Sequence, residues 1–301
     1  MKSRALSKIT GIFYSTRLAP YVFVLPFLVV FFVFFLYPTI SSVVMSFHNI
    51  VGFGNWEFIG LKNYERLNNV HFFMALRTST LYTVLTIAIL IPVPMIIAVF
   101  LNSKFMLARN FFRSVVFLPA LISVVVAGIA FRLLFGNTEV AFVNSILARF
   151  GREPVRWMLN HTTGMFLMVM LGTWRWAGVN MIYFMSGLQA IPSELYESAS
   201  IDGAGVFRKF FGITLPLLKP IAIYVFTISI YGGYAMFTES YVFWNQSMPG
   251  GIGMTIVRYM YQEGLLQNRL GFGSAVGVTL LTIVFVINII QLRLFGMFRK
   301  E

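Results

Sequence analysis

Residues 18–56 read LAPYVFVLPFLVVFFVFFLYPTISSVVMSFHNIVGFGNW, and no charged side chain interrupts them. A helix needs about 20 apolar residues to cross the hydrocarbon of a bilayer, and this run exceeds that. It is also far longer than the roughly 7–15 apolar residues of a secretion signal, and no small-x-small cleavage site follows it. Further charge-free stretches cover 78–103, 114–131, 157–174, 176–193, 220–238 and 270–292. The two that flank Arg175 read as one helix, because Trp174-Arg175-Trp176 holds neither Pro nor Gly to turn the chain. The stretches predict an all-α membrane protein with six spans, near 20–47, 74–101, 112–134, 163–188, 217–243 and 272–295.

Composition agrees with this pattern. Of 301 residues, 58% are hydrophobic and only 11% charged, against roughly 25% charged in a soluble domain. That excludes disorder and a soluble globular fold. The absence of cysteine excludes disulfides, thiolate metal sites and a Cys nucleophile. A net charge of +13 would suggest nucleic acid in a soluble protein. Here the basic residues lie mostly between or beside the apolar runs, so bilayer orientation accounts for them and no nucleic-acid partner is expected. With the N-terminus inside, the inner segments hold 13 Lys and Arg and the outer ones nine, with Arg175 left in the membrane. Both termini are therefore expected on the cytoplasmic side. Residues 1–19 form a short inner segment and 20–301 a single permease-like domain. The outer loops, with Gly52-Phe53-Gly54-Asn55-Trp56 and Ser247-Met248-Pro249-Gly250-Gly251, can receive a partner but are too short to be domains.

Catalytic signatures are lacking. No Gly-Lys dipeptide exists, so there is no Walker A loop. No Gly-x-Ser-x-Gly elbow occurs. His48, His71 and His161 lack metal-ligand spacing and read as solvated or interfacial. Gly273 and Gly277 form a G-x-x-x-G pair suited to helix packing. An enzyme is not expected, nor is a metal or cofactor held by this chain.

One inner loop, residues 189–216, carries helix punctuation: Gln189-Ala-Ile-Pro-Ser-Glu-Leu-Tyr-Glu-Ser-Ala-Ser-Ile-Asp-Gly-Ala204, ending in Ile213-Thr-Leu-Pro216. Ser193 is placed to N-cap a short helix, with Glu194 and Glu197 near its positive end. Gly203 suits the position just past its C-terminus. Asp202 is the single aspartate of the chain. Leu195, Ala199 and Ile201 offer apolar side chains to a groove on another protein. An ordinary interfacial connector explains the same features equally well.

Glu197-Ser-Ala199, Gly203 and Ile213-Thr-Leu-Pro216 resemble the EAA motif of ATP-binding-cassette importer permeases, with Ser198 where Ala is usual. Gly187-Leu-Gln with Ile201-Asp-Gly-Ala204 is similar to its sugar-importer form. The likeness extends to Phe58-Ile-Gly-Leu-Lys-Asn-Tyr64, Phe111-Phe-Arg-Ser-Val-Val-Phe-Leu-Pro119, Glu239-Ser-Tyr-Val242 and Gln291-Leu-Arg-Leu294. It points to carbohydrate permeases of the maltose-transporter type, most like those for arabinose and arabino-oligosaccharides. The resemblance implies a type I importer (MetI-like) fold in a bacterial cytoplasmic membrane. It also implies a second homologous permease, two copies of an ATPase that binds ATP and Mg, and an extracytoplasmic sugar-binding protein. Glu194, Glu197, Ala199, Asp202 and Gly203 would then form the coupling helix.

The resemblance places sugar contacts on the two helices flanking this loop. In span five, Thr227, Tyr231, Tyr234, Thr238 and Tyr241 recur at steps of four and three on one helical face. Pathway lining and helix–helix hydrogen bonding explain that stripe equally well. Gly232 and Gly233 beside it allow close packing or room for a ring. In span four, Trp176, Asn180 and Tyr183 share a face. Arg175 is too costly to present to lipid and meets either Glu239 or an anionic substrate such as a glycerol phosphate. Neutral sugar is the reading favoured. An ion-coupled secondary carrier would need more intramembrane carboxylates than Glu239, and a scaffold without transport leaves the stripe unexplained.

Overall fold

A computed structural model describes residues 19–51, 54, 56–103, 106–245 and 249–297. The N-terminal segment up to residue 18 and parts of the outer-loop motifs (Gly52, Phe53, Asn55, Ser247 and Met248) lie outside these residues. The helices are α1 (Ala19–Ser46), α2 (Val70–Leu90), α3 (Pro92–Asn102), α4 (Arg109–Leu121), α5 (Val124–Leu134) and α6 (Phe142–Arg149). They continue with α7 (His161–Gln189), α8 (Ser193–Ile201), α9 (Lys219–Tyr234), α10 (Thr238–Trp244), α11 (Ile256–Tyr261) and α12 (Leu270–Leu294). Four stretches are long and apolar enough to cross a bilayer: α1, α2 with α3, α9 with α10, and α12. The α4–α5 pair supplies a fifth. Helix α7, the expected fourth span, is not among these; it has 29 residues, or about 43 Å at 1.5 Å each. Its apolarity is diluted by Arg175 and Asn180.

Contacts group the chain into two units. One comprises the described residues up to Arg66 with Glu263–Val278. In it, α1 opens into a π-turn at Phe32–Leu36 just before Pro38. Proline cannot donate to the carbonyl four residues back, and the wider turn accommodates its ring. A two-stranded antiparallel sheet, β1 (His48–Ile50) on β2 (Trp56–Phe58), follows. Asn63 holds its base by donating to the Ser46 and His48 carbonyls. Gly271 lies so close to the His48 carbonyl that a Cβ there would clash.

The other unit, Leu67–Gln262 with the described residues from Thr279 onward, is organised on α7. Toward the N-terminal end of α7, Leu167, Met168 and Leu171 pack with Phe131, Phe243 and Trp244. Toward its C-terminal end, Met181, Phe184, Met185 and Leu188 pack with Met95, Ala98 and Val225. Between these apolar belts, Gly178 sits where a Cβ would come within 2.3 Å of the Val116 carbonyl oxygen, so α4 crosses α7 backbone to backbone.

Three expected spans are interrupted. The predicted continuous helix 112–134 instead bends by 94° between α4 and α5. Pro119 withholds the donor for its last turn, and Ile122 and Ser123 are extended. The second span breaks at Ile91, ahead of Pro92 and Pro94. The fifth breaks at Ala235–Phe237, between α9 and α10.

Gly178→Ala should force α4 and α7 apart and cost about 1–3 kcal/mol. The expected result is a lower thermal unfolding midpoint for the purified protein. Gly232→Ala, at a glycine with open space beside it, should leave the midpoint near that of the parent.

Candidate functional site

All three interruptions border one cavity of about 480 Å³. Leu90 marks the end of α2, Val124 the start of α5, and Ala235–Glu239 the break between α9 and α10. Non-helical backbone at membrane depth survives where it is buried in protein or lines a wet cavity, and here two of the freed carbonyls are answered by side chains. Pro94 cannot donate to the Leu90 carbonyl, so Asn180 Nδ2 does so instead at 3.0 Å. Thr255 Oγ1 donates to the Met236 carbonyl at 2.8 Å.

The cavity holds the two charged groups expected at this depth. Arg175 Nη1 lies 3.3 Å from Glu239 Oε1, with side chains 13% and 9% exposed. The guanidinium also stands 5.9 Å from the Trp176 ring centroid. Its Nε is buried without a partner. Helix α7 supplies Arg175, Trp176, Asn180 and Tyr183, and the broken fifth span supplies Tyr224, Tyr231, Thr238 and Glu239. Tyr183 and Tyr224 meet edge to face at 5.2 Å.

The hydroxyl stripe divides. Tyr231, 68% exposed, and Thr238 face the cavity. Tyr234 does not line it: it is 4% exposed, its hydroxyl 3.0 Å from Thr80 Oγ1. Thr227 donates to Gln291 Oε1, and Tyr241 stacks with Phe237 beneath Arg258. The break at 235–237 takes Thr238 and Tyr241 out of phase with Thr227 and Tyr234; within the unbroken α9, Tyr231 faces the cavity while Thr227 and Tyr234 meet side chains of neighbouring helices. Both paired glycines border the cavity, but Gly233 abuts Thr83 whereas a Cβ at Gly232 would meet open space.

Span two contributes Tyr82 and Thr86, which the sequence reading did not single out. The signal was present: Ser79, Tyr82, Thr83 and Thr86 repeat at steps of three and four, the same argument that found the stripe in span five. Gly172 makes room for the Tyr82 hydroxyl against α7.

The short helix α10 is fixed at both ends. Glu239 in its first turn meets Arg175. The buried Arg258 donates to the Ser240 carbonyl in the same turn and, at the other end, to the Asn245 carbonyl. Burial lowers the Arg258 pKa to about 10, which leaves it cationic at neutral pH, as a helix C-terminus favours.

In the inner loop, α8 starts at Ser193 itself. Pro192 occupies the N-cap position, so the expected Ser193 cap is not formed. Pro192 is extended (ψ 133°), which makes Ser193 the first helical residue. The C-terminus follows expectation. Gly203 takes φ +74°, its N–H donates to Ser200, and the Ala204 N–H donates to Ala199, the paired bonds of a Schellman end. Glu194, Glu197 and Asp202 are exposed and Ala199 is half-buried. None of the three carboxylates has an ion-pair partner among the described residues. Leu195, Ile201, Val206, Phe207 and Phe211 are exposed. Tyr196 Oη, 2.9 Å from Thr214 Oγ1, ties the helix to the base of span five.

Residues 90–299 match the family model described as a binding-protein-dependent transport system inner membrane component. The chain belongs to that family. The permease is 53% identical to the arabinooligosaccharides transport system permease protein AraP of Bacillus subtilis, over 96% of this chain and 92% of that one. It is 51% identical to AraP of Halalkalibacterium halodurans, over 99% and 94%. Its fold superposes with TM-score 0.83 on a bacterial ABC transporter involved in import of the acidic polysaccharide alginate, at 21% identity, covering 99% of this chain and all of that one. The type I importer architecture and the membrane location expected from sequence therefore hold.

Two outcomes test these placements. Asn180→Leu strands the Leu90 carbonyl and should destabilise the permease by about 1–3 kcal/mol, read as a lower unfolding midpoint. Tyr231→Ala or Trp176→Ala should cut cellular uptake about tenfold, equivalent to about 1.4 kcal/mol, whereas Tyr234→Phe should stay within about twofold, since such intramembrane hydrogen bonds average about 0.6 kcal/mol.

Proposed function

We infer that this chain is the permease subunit of an ATP-driven, binding-protein-dependent importer of neutral sugars, arabino-oligosaccharides in particular. The observation that carries this is its 53% identity, across nearly the whole chain, to an arabinooligosaccharide permease. The cavity chemistry agrees. Tyr82, Trp176, Tyr183, Tyr224, Tyr231 and Phe237 provide aromatic faces for the C–H faces of sugar rings, and Thr86, Thr238, Arg175 and Glu239 provide partners for hydroxyls. A phosphorylated polyol fits less well, because Arg175 already faces a carboxylate.

In this reading the permease pairs with a second homologous permease and two copies of an ATPase, which hold ATP and Mg. A binding protein delivers sugar from outside, and both termini of the permease lie in the cytoplasm. Helix α8 is the coupling helix. Its Schellman end fixes its length, its unpaired carboxylates and exposed apolar side chains meet the ATPase, and Tyr196–Thr214 passes motion to the π-turn at Phe210–Thr214. From there α9 runs unbroken to Tyr231 at the cavity wall. Closure of the ATPase pair on ATP would thus shift α9 against α7 and turn the cavity from one side of the membrane to the other.

The decisive experiment reconstitutes this permease with its companion permease, ATPase and binding protein, and measures ATP hydrolysis across neutral sugars and glycerol phosphates. Stimulation by pentose oligosaccharides is expected; stimulation by phosphates alone would overturn the neutral-sugar assignment. In the same system Glu197→Lys and Gly203→Pro should abolish co-purification of the ATPase. Unchanged co-purification and uptake would remove α8 from the coupling role.

A further inference from the structure

We propose that Glu239 sets the charge preference of the cavity: it neutralises Arg175 in place, so that the path admits neutral sugar units and turns away anionic ones. The proposal rests on the sugar-importer reading above and adds to it the residue that decides between substrate classes.

Arg175 and Glu239 are the only charged side chains among the nineteen residues lining the cavity. Together they leave it formally neutral. Both are largely withdrawn from solvent, and the remaining wall is mostly aromatic and aliphatic, so the charges act in a medium that screens poorly. Without Glu239, a cation beside the Trp176 ring would draw any carboxylate or phosphate entering the cavity. With Glu239 in place that attraction is already satisfied, and an incoming anion meets a carboxylate as well as a guanidinium. Like charges brought together at a desolvated site cost several kcal/mol.

The geometry of the pair preserves its use for neutral ligands. The contact is a single one, Nη1 to Oε1 at 3.3 Å, rather than the two-pronged arrangement a guanidinium and a carboxylate can form. Arg175 Nε is left buried and unpartnered. A sugar hydroxyl, which both donates and accepts, can accept from the guanidinium N–H groups that this single contact leaves unused and still offer its own proton to an acceptor. A second carboxylate could use only those donors. The scaffold itself imposes no such preference, since the same architecture serves an importer of an acidic polysaccharide.

A purely mechanical role, tying α7 to the first turn of α10, would depend on the hydrogen bond and little on the charge. The test therefore separates charge from shape. The full complex of this permease with its companion permease and ATPase is placed in nanodiscs without binding protein, so that no upstream selection operates. Binding of a neutral pentose trisaccharide and of a uronic-acid trisaccharide is measured by titration calorimetry. The parent should favour the neutral sugar by about tenfold or more. Glu239→Gln, close in shape, should reverse the ratio toward the uronate by about tenfold or more. Glu239→Asp should keep the parent ratio, and the double variant Arg175→Gln with Glu239→Gln should lose discrimination.

An unchanged ratio in Glu239→Gln, with normal binding of the neutral sugar, would overturn the filter and leave the importer reading intact. A parent complex that binds neither sugar, or prefers the uronate, would overturn the neutral-sugar reading and the filter with it. Should Glu239→Gln fail to assemble, Arg175→Gln examines the same filter from the other side. Uronate binding should then weaken more than neutral binding does, widening the ratio toward the neutral sugar, and a gain in uronate binding would refute the proposal.

Discussion

In hydrocarbon no water takes up a free carbonyl, so each interruption of a spanning helix needs a protein partner or a wet wall. That constraint orders this permease. Pro94 strands the Leu90 carbonyl, Pro119 precedes the bend at Ile122–Ser123, and the fifth span unwinds at Ala235–Phe237. Each break opens onto the same cavity, and where a carbonyl is answered across it, the donor is a short polar side chain: Asn180 for Leu90 and Thr255 for Met236. The polar residues are therefore not scattered. They collect where the backbone stops being self-sufficient, and such a place can accept a hydroxylated solute without new cost to the protein.

Helix α7 makes this possible by running unbroken for 29 residues. Its apolar belts anchor it toward both ends, so its middle is free to carry Arg175, Trp176 and Asn180. Glycine at 172 and 178 lets α2 and α4 pack close against α7, by admitting the Tyr82 hydroxyl and the Val116 backbone. Larger side chains at those two positions would displace the helices that carry the breaks.

Much of this was legible from residues alone. Most of the apolar spans, the Gly203 end of α8 and the need of Arg175 for a partner, with Glu239 one of two candidates, follow from composition, turn chemistry and the cost of an unpaired charge in lipid. What escaped was phase. A stripe drawn through Thr227, Tyr231, Tyr234, Thr238 and Tyr241 assumes one continuous helix, and neither proline nor glycine at 235–237 warns of the break. Its cause is tertiary, namely the Thr255 hydroxyl on Met236 and the pinning of α10 by Glu239 and Arg258. The bend after Pro119 was hidden for the opposite reason, since proline within an apolar run is often tolerated in membranes and only packing decides whether it kinks. Asn180 was read as a pathway residue, but its amide N–H also serves the backbone of span two. No local pattern reveals which carbonyl, ninety residues away, a buried amide will serve.

The breaks also account for how a distant loop could act on the cavity. A rigid, uninterrupted fifth span would move as one rod, carrying Tyr231 and Glu239 together and leaving their separation from α7 to change in step. Here α9 is joined at its base to Tyr196 through Thr214, whereas α10 is held by Arg175 at one end and Arg258 at the other. The unwound residues between them absorb the difference. If α8 couples to the ATPase as proposed, its displacement would move Tyr231 relative to Glu239 and alter the shape of the cavity without separating the ion pair. Shape and charge are then governed by different halves of one span. A permease so built can open and close around its cargo while the electrostatic condition for accepting that cargo stays constant.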